Sequence, residues 1–280
     1  LASSQYNWHA MQKHYVNALK LEQQGFISKG QRMQFEVAKN NAQRSEQASQ
    51  ANLKASLFQL NNLLQSSQIT ELTTPLFINS TQNQDLNTLL KSYADQSALV
   101  QKLQMDTQLA QANVTAQNAA KKPHIFAFGE YSLDDKNNWI VGLAAQYNLF
   151  SGIDKNENVQ AAETKRYTSE LMTARTKQEI ENVIYKSYSE ATTAQQSDQL
   201  LQQNIKAAQE NLRIQELSFK EDMGTATQVI DAQNMLSALK AETALNTYKY
   251  VMSLATLLQS HGSIHQFQTY LLQPNTRFIR

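Results

Sequence analysis

A mainly α-helical protein carrying a single β-hairpin is what this sequence predicts, and three observations predict it. Long intervals contain neither glycine nor proline. One central stretch alternates apolar with polar residues. One segment recurs 194 residues further along.

The seven glycines and three prolines set the helix boundaries. The intervals 31–74, 76–122, 153–223 and 225–261 hold neither residue and are rich in Ala, Leu, Gln, Glu and Lys, the good helix formers. The opening LASSQYNWHAMQKHYVNALK is also amphipathic and helical, with no signal-peptide pattern. A chain that starts inside a helix is expected to be a processed product or part of a longer protein. The interval 153–223 predicts a helix of roughly 105 Å, far beyond what a compact core needs. Its apolar residues, Val159, Ala162, Tyr167, Leu171, Ala174, Ile180, Val183, Ile184, Tyr188, Ala191, Leu200, Leu201, Ile205, Ala208, Leu212, Ile214 and Leu217, are sparse and form narrow seams. Such a helix belongs in a coiled coil or a tunnel wall. The helices near 31–66, 86–121 and 226–260 are about half as long. Two of them laid end to end match the long one, with 67–85 and 262–280 as irregular mid-height segments.

The alternating stretch lies within 121–152. Ile125, Ala127, Tyr131, Leu133, Trp139, Val141, Leu143, Ala145, Tyr147 and Leu149 occupy one parity, while Gly142, Ala144, Gln146 and Asn148 occupy the other. Asp134, Asp135, Lys136, Asn137 and Asn138 make a polar turn between the two runs. Each run is about 9–11 residues, the length of a tilted membrane-spanning strand. Tyr131, Trp139, Tyr147 and Phe150 fall near strand ends, where aromatic girdles sit. A solvent-facing hairpin packed on a helix would show the same alternation.

The repeat aligns Gly30 with Gly224, Gln34 with Gln228, Ala38 with Ala232, Asn40 with Asn234, Asn52 with Asn246 and Leu60 with Leu254. It closes on LLQS at 63–66 and again at 257–260. The repeating unit reads hairpin, long helix, tip turn, short helix, mid-height segment, short helix. The first copy lacks its hairpin and most of its long helix, and the second lacks its last short helix.

Composition excludes several functions. With 25 basic and 24 acidic residues the net charge is +1, so no nucleic-acid partner is expected. Mean hydropathy is −0.53, and the polarity comes largely from uncharged Gln, Asn, Ser and Thr. Cysteine is absent, which removes disulfides, zinc–thiolate sites and thiol nucleophiles. No apolar run reaches 18 residues, so no transmembrane helix is expected. No nucleophile–base pair, phosphate loop or acid/base dyad is visible, so we expect no catalytic residues, no cofactor and no enzyme. His261 and His265 have a metal-like spacing of four. Gly262 interrupts them and no third ligand is near, so they read as surface residues and no metal is expected. Lys121 and Lys122 read as interfacial charges or as helix C-terminal charges rather than as a binding site.

Three motifs carry a family resemblance. The first is Pro123 ahead of a strand, followed by Trp139-Ile-Val-Gly142-Leu and Tyr147-Asn-Leu-Phe150-Ser-Gly152. The second is Phe219-Lys-Glu-Asp-Met-Gly224-Thr225 with Val229-Ile230-Asp231-Ala232-Gln233 after it. The third is Gly25-Phe26-Ile27-Ser28-Lys29. Together they resemble the strand and helix-tip patterns of the TolC-type outer-membrane efflux and secretion channel family, over essentially the whole chain.

The resemblance implies long antiparallel coiled-coil-like helices forming part of a trimeric α-barrel, plus a two-stranded segment of an outer-membrane β-barrel. It implies six segments. These are a first-repeat helical hairpin at 1–66, an equatorial segment at 67–85, an upper helix at 86–122, the membrane hairpin at 123–150, a second-repeat helical hairpin at 151–260 and a C-terminal equatorial segment at 261–280. Two strands are half of one protomer's share of such a barrel, so a further N-terminal part is expected. The implied role is a passive export duct of a tripartite efflux pump or type I secretion system, in the outer membrane of a bacterial cell and extending into the periplasm. Implied partners are two further copies in a homotrimer, a periplasmic adaptor protein, an inner-membrane pump or transporter, and outer-membrane lipid.

By resemblance, Asp231 is a gate carboxylate that a threefold assembly would form into a ring. Gln228 stands where the family often has a second aspartate. The adaptor-contact tips would be Gly25, Phe26, Ile27, Ser28 and Gly30, and Asp222, Met223, Gly224 and Thr225. Asp222 stands where the family usually has glycine. The repeat pairs Gly30 with Gly224, whereas the family pattern points to Gly25 and Asp222. The other readings are a coiled-coil adaptor or stalk, and a helical pore-forming toxin, which would carry a more continuous apolar segment and no such repeat.

Overall fold

The computed structural model describes residues 1–65, 75–80, 84–132, 138–147 and 154–279. Its elements are α1 (Ala2–Gln23), α2 (Lys29–Leu63), β1 (Leu76–Asn79), α3 (Leu86–Gln96), α4 (Ala98–Ala119), β2 (His124–Tyr131), β3 (Trp139–Gln146), α5 (Lys155–Lys220), α6 (Ala226–His261), a short 3-10 turn at Ile264–Gln266, α7 (Phe267–Leu271) and β4 (Thr276–Ile279). The chain is therefore mainly helical with few strands. None of its described helices is long and apolar enough to cross a membrane. Contacts divide it into two units, 1–84 with 186–258 and 265–280, and 85–185 with 259–264.

In the first unit the seam expected from sparse apolar residues is a heptad seam. Along α5, Ser187, Ala191, Ala194, Asp198, Leu201, Ile205, Ala208 and Leu212 follow spacings of three and four, and nearly all are buried. Along α6 the same alternation picks out Ala226, Val229, Gln233, Leu236, Thr243, Thr247, Tyr250, Leu254 and Leu257. Near the start of α6, Ala18, Phe35, Ala208, Leu212, Ala226, Val229, Ala232 and Leu236 form one cluster. Four alanines among eight residues let the backbones of α1, α2, α5 and α6 approach closely. Phe35 fills the remaining space, edge-on to Phe219 at 5.4 Å between ring centres.

A second cluster, of Phe77, Ile78, Ala191, Ala194, Tyr250, Leu254, Leu258 and Tyr270, anchors the strands β1 and β4. These pair antiparallel from Leu76↔Ile279 to Asn79↔Thr276. Buried Asn79 ties the joint together. Its Nδ2 donates to the Tyr270 carbonyl at 2.8 Å, and its backbone carbonyl accepts from Gln195 Nε2 at 2.8 Å. Arg277 of β4 pairs with Asp198, the charged residue within the α5 seam. Of the mid-height segment expected at 67–85, residues 67–74 and 81–83 lie outside the described residues.

In the second unit, residues 155–185 of α5 meet α4 through hydroxyls. Thr107 Oγ1 lies 3.1 Å from Ser169 Oγ and 3.2 Å from Thr173 Oγ1. The upper helix expected as one piece over 86–122 is two helices. Asp85 caps α3 by accepting from the Thr88 N–H at 3.3 Å. Ser97 then takes extended backbone angles, φ −74° and ψ 112°, and α4 starts beyond it. No glycine or proline marks this break. Its partner is Gly262 at φ +91°, where a Cβ would stand 2.3 Å from the Gln96 carbonyl oxygen.

His261 corrects a second expectation. It is not a surface residue but 3% exposed. Its Nε2 lies 2.9 Å from Ser92 Oγ and its Nδ1 lies 2.9 Å from Ser263 Oγ. Ser92 gives its hydroxyl proton to the Thr88 carbonyl at 2.9 Å, so Nε2–H donates to Ser92 and Nδ1 accepts from Ser263. The burial comes from serines supplied by α3 and by the turn after α6. Sequence spacing showed neither partner. His265 is exposed.

Gly262→Ala combines a left-handed φ with a backbone overlap, so it should lower stability by about 2–4 kcal/mol. Gly30→Ala, whose Cβ would meet only Ser28 Oγ at 3.7 Å in a helix, should change it by less than about 1 kcal/mol. Thermal melts of helical circular dichroism separate the two. Burial holds the His261 imidazole below its ordinary value, and burial does the same to His14 despite Glu216 nearby. A lowered histidine keeps its stabilisation above the unfolded-state pKa of about 6.5 and loses it as pH falls. The melting midpoint should therefore drop between pH 7.5 and pH 5, and His261→Asn should flatten part of that slope. An unchanged slope would exclude His261 as a contributor.

Candidate functional sites: the helical tips and the hairpin

Two tip turns join the helices of the first unit, and they are built alike. After α1, Gly25 takes φ +79°. The Gly25 N–H donates to the Glu22 carbonyl at 2.9 Å and the Phe26 N–H to the Leu21 carbonyl at 2.9 Å. After α5, Asp222 takes φ +59°. The Asp222 N–H donates to the Phe219 carbonyl at 3.3 Å and the Met223 N–H to the Ser218 carbonyl at 2.8 Å. Both are Schellman-type ends, which need a left-handed residue. Glycine meets that need freely, and aspartate is one of the few side chains that tolerates it.

The following helices start alike as well. The Ser28 N–H donates to Gln31 Oε1 at 3.0 Å while the Gln31 N–H donates back to Ser28 Oγ at 3.2 Å. The Thr225 N–H donates to Gln228 Oε1 at 2.7 Å while the Gln228 N–H donates back to Thr225 Oγ1 at 3.3 Å. These are reciprocal capping boxes. The tips thus correspond as Gly25 with Asp222, Phe26 with Met223, Ser28 with Thr225 and Gln31 with Gln228. That is a shift of 197 residues rather than the 194 of the sequence repeat. Gly30 and Gly224 are not equivalent. Gly30 lies within the first turn of α2, whereas Gly224 gives room, since its Cβ would stand 3.0 Å from the Phe219 nitrogen.

The structure sorts the tip residues named above. Phe26 and Met223 stand outward, 67% and 78% exposed. Ile27 turns inward against the alanine-rich cluster. Ser28 and Thr225 are caps, and Gln228 is engaged in its capping box. Asp231 is exposed on α6, less than two turns beyond the start of that helix. It shares its face with Thr227 and Asn234, which line a groove with Met33, Val37 and Ile230. Buried His14, 3.6 Å from Glu216 and stacked on Phe35, lies just behind the first tip. The alternation pattern gave no sign of it.

The hairpin forms β2 and β3 in register from His124↔Gln146 to Tyr131↔Trp139. Odd residues face one side: Ile125↔Ala145, Ala127↔Leu143, Gly129↔Val141 and Tyr131↔Trp139. Ile125, Val141 and Leu143 on that side are highly exposed. Tyr131 and Trp139 sit together at the turn end, and Tyr147 lies at the other end with the Lys155 ammonium 4.9 Å from its ring centre. Phe150 and the turn at 133–137 lie outside the described residues. Neither face of the hairpin is buried among the described residues.

Comparison with known proteins agrees with this arrangement. The sequence profile of the family described as outer membrane efflux protein matches residues 89–263. No curated protein matches the sequence. Among solved structures, the outer membrane protein VceC of Vibrio cholerae is similar with a TM-score of 0.73 at 16% identity, over 93% of this chain and 65% of that one. CusC, from a study of transmembrane channel formation, gives 0.75 at 16% identity over 92% and 63%. The open-state outer membrane channel MtrE of Neisseria gonorrhoeae gives 0.73 at 16% identity over 94% and 62%. At such identities the likeness is one of fold, and the chain spans about three fifths of each structure's length.

The capping boxes make a direct prediction. Thr225→Ala should destabilise by about 1 kcal/mol through loss of the cap. Asp222→Gly should leave stability equal or raise it by up to about 1 kcal/mol, because glycine relieves the left-handed backbone. Chemical denaturation followed by circular dichroism reads both. A clear loss on Asp222→Gly would mean that the carboxylate, not the backbone, matters at that turn.

Proposed function

The chain belongs to the outer membrane efflux protein family, and from that premise we propose that it is the outer-membrane duct of a tripartite efflux pump or type I secretion system. It sits in the bacterial outer membrane and extends into the periplasm. It conducts passively and carries out no reaction of its own. The observation that carries this reading is the hairpin, with one apolar face closed by Tyr131 and Trp139 at the turn end and Tyr147 just beyond the other end. That pattern suits a barrel wall facing lipid. A coiled-coil stalk would need helices like these but has no use for such a face.

The duct would be built by a homotrimer of the intact protein. Exposed apolar side chains on the helices, among them Leu63, Leu109 and Tyr185, suit burial against neighbouring copies. In this reading 1–66 and 151–260 form the two tip-bearing helical hairpins, 67–85 and 261–280 the equatorial belt, 86–122 the upper helical segment and 123–150 the barrel strands. The tips, with Phe26 and Met223 foremost, meet a periplasmic adaptor, which links the duct to an inner-membrane pump or transporter. Exposed Asp231 would form a carboxylate ring near the periplasmic entrance, where it concentrates cations. Gln228, tied into its cap, adds no charge to that ring.

The intact protein, reconstituted in planar bilayers, should form trimers with discrete single-channel conductance. Asp231→Asn should raise the magnesium concentration needed for half-block about tenfold, equivalent to about 1.4 kcal/mol. Unchanged block would remove Asp231 from the gate. Absence of conductance would refute the duct.

A further inference from the structure

The second face of the hairpin carries an aromatic pair that the duct reading does not explain. Its rungs run His124↔Gln146, Phe126↔Ala144, Phe128↔Gly142 and Glu130↔Ile140. If the apolar odd face meets lipid, this face meets the lumen, and its His124, Gln146 and Glu130 suit water. Phe126, Phe128 and Ile140 do not, and of these the two phenyl rings are neighbours on one strand. They occupy adjacent rungs at mid-strand, 47% and 43% exposed. Barrel interiors that hold water are polar, so two phenyl rings there need a function.

Their setting is built for them. Each ring stands opposite one of the smallest residues of β3, Ala144 or Gly142. A Cβ on Gly142 would lie 2.8 Å from Phe128 Cζ and 2.9 Å from Cε1. The Phe128 ring thus occupies the place of the missing side chain and lies across the neighbouring strand. Glu130 follows Phe128 by two residues on the same face, roughly 7 Å along the strand. Two aromatic faces beside a carboxylate complement an organic cation with an aromatic body, through stacking, cation–π attraction and charge.

We propose that Phe126, Phe128 and Glu130 form a contact site on the lumen wall that takes up aromatic organic cations during passage. The proposal rests on the duct reading. The test uses the intact protein in planar bilayers, with tetraphenylphosphonium as probe and tetraethylammonium as an aliphatic control of equal charge. Tetraphenylphosphonium should block at the lower concentration. In the Phe126→Ala/Phe128→Ala protein its half-blocking concentration should rise roughly fivefold to thirtyfold, the effect of one or two aromatic contacts, while block by tetraethylammonium stays the same. Glu130→Gln should weaken block by both ions alike. Phe126→Leu/Phe128→Leu keeps the apolar volume and should show the same loss, which covers the case in which the alanine protein fails to assemble. Conductance with tetraphenylphosphonium block unchanged in both double variants overturns the contact site alone. No conductance from the unsubstituted protein overturns the duct reading and this proposal with it.

Discussion

A narrow seam is the constraint on which the rest of this structure depends. A helix of 66 residues in α5 cannot be wrapped by a globular core, so it can bury only the stripe repeated every three and four residues. That stripe must be small to bring helices close, which explains Ala191, Ala194 and Ala208 along it. Everything off the stripe stays at least partly exposed. The same restriction makes the protein rich in Gln, Asn, Ser and Thr, which tolerate water without adding charge.

Polar residues on the seam carry the positional information that alanine and leucine lack. Asp198 falls on a seam position and is matched by Arg277 from β4. Gln233 Nε2 donates to Ser237 Oγ at 3.1 Å, and Ser237 passes its own hydroxyl proton to Asn7 Oδ1 at 2.9 Å. Asn246 Nδ2 donates to the Ala194 carbonyl at 2.8 Å. A slip by one heptad would leave the apolar seam nearly as well packed, yet it would break the contacts that join different elements: Ser237 with Asn7, Asn246 with Ala194 and Arg277 with Asp198. Register is therefore held by a few hydrogen bonds, in the manner of a lone polar residue in a coiled-coil seam.

What was legible in the sequence was what local chemistry decides. The helices followed from glycine- and proline-free intervals, and the hairpin from alternation. The strand and tip motifs pointed to the family that the profile match then identified. What was hidden depends on distant partners. The break at Ser97 has no local breaker, because Gly262 shapes it from far along the chain. The pairing of LFIN with TRFI joins two four-residue runs too short to show a period. The burial of His261 needs Ser92. The tip alignment misled for another reason. Identical glycines at 30 and 224 suggested a shift of 194 and the family pattern, pairing Gly25 with Asp222, a shift of 197; the left-handed residues and the capping boxes sit 197 apart.

The hairpin shows why periodicity alone could not separate membrane from water. Alternation reports that two faces differ, not what each face meets. A soluble two-stranded hairpin is marginal unless one face packs on something, and that packing would appear as burial on alternate residues. Here the described strand residues remain exposed on both sides, including Ile125, Val141 and Leu143. Eight-residue strands with that much uncovered apolar surface would be an aggregation hazard in water. Surrounded by lipid on the odd face and by other strands at both edges, the same residues are satisfied without any further packing. The exposure that would count against a soluble fold is thus the property that a barrel wall requires.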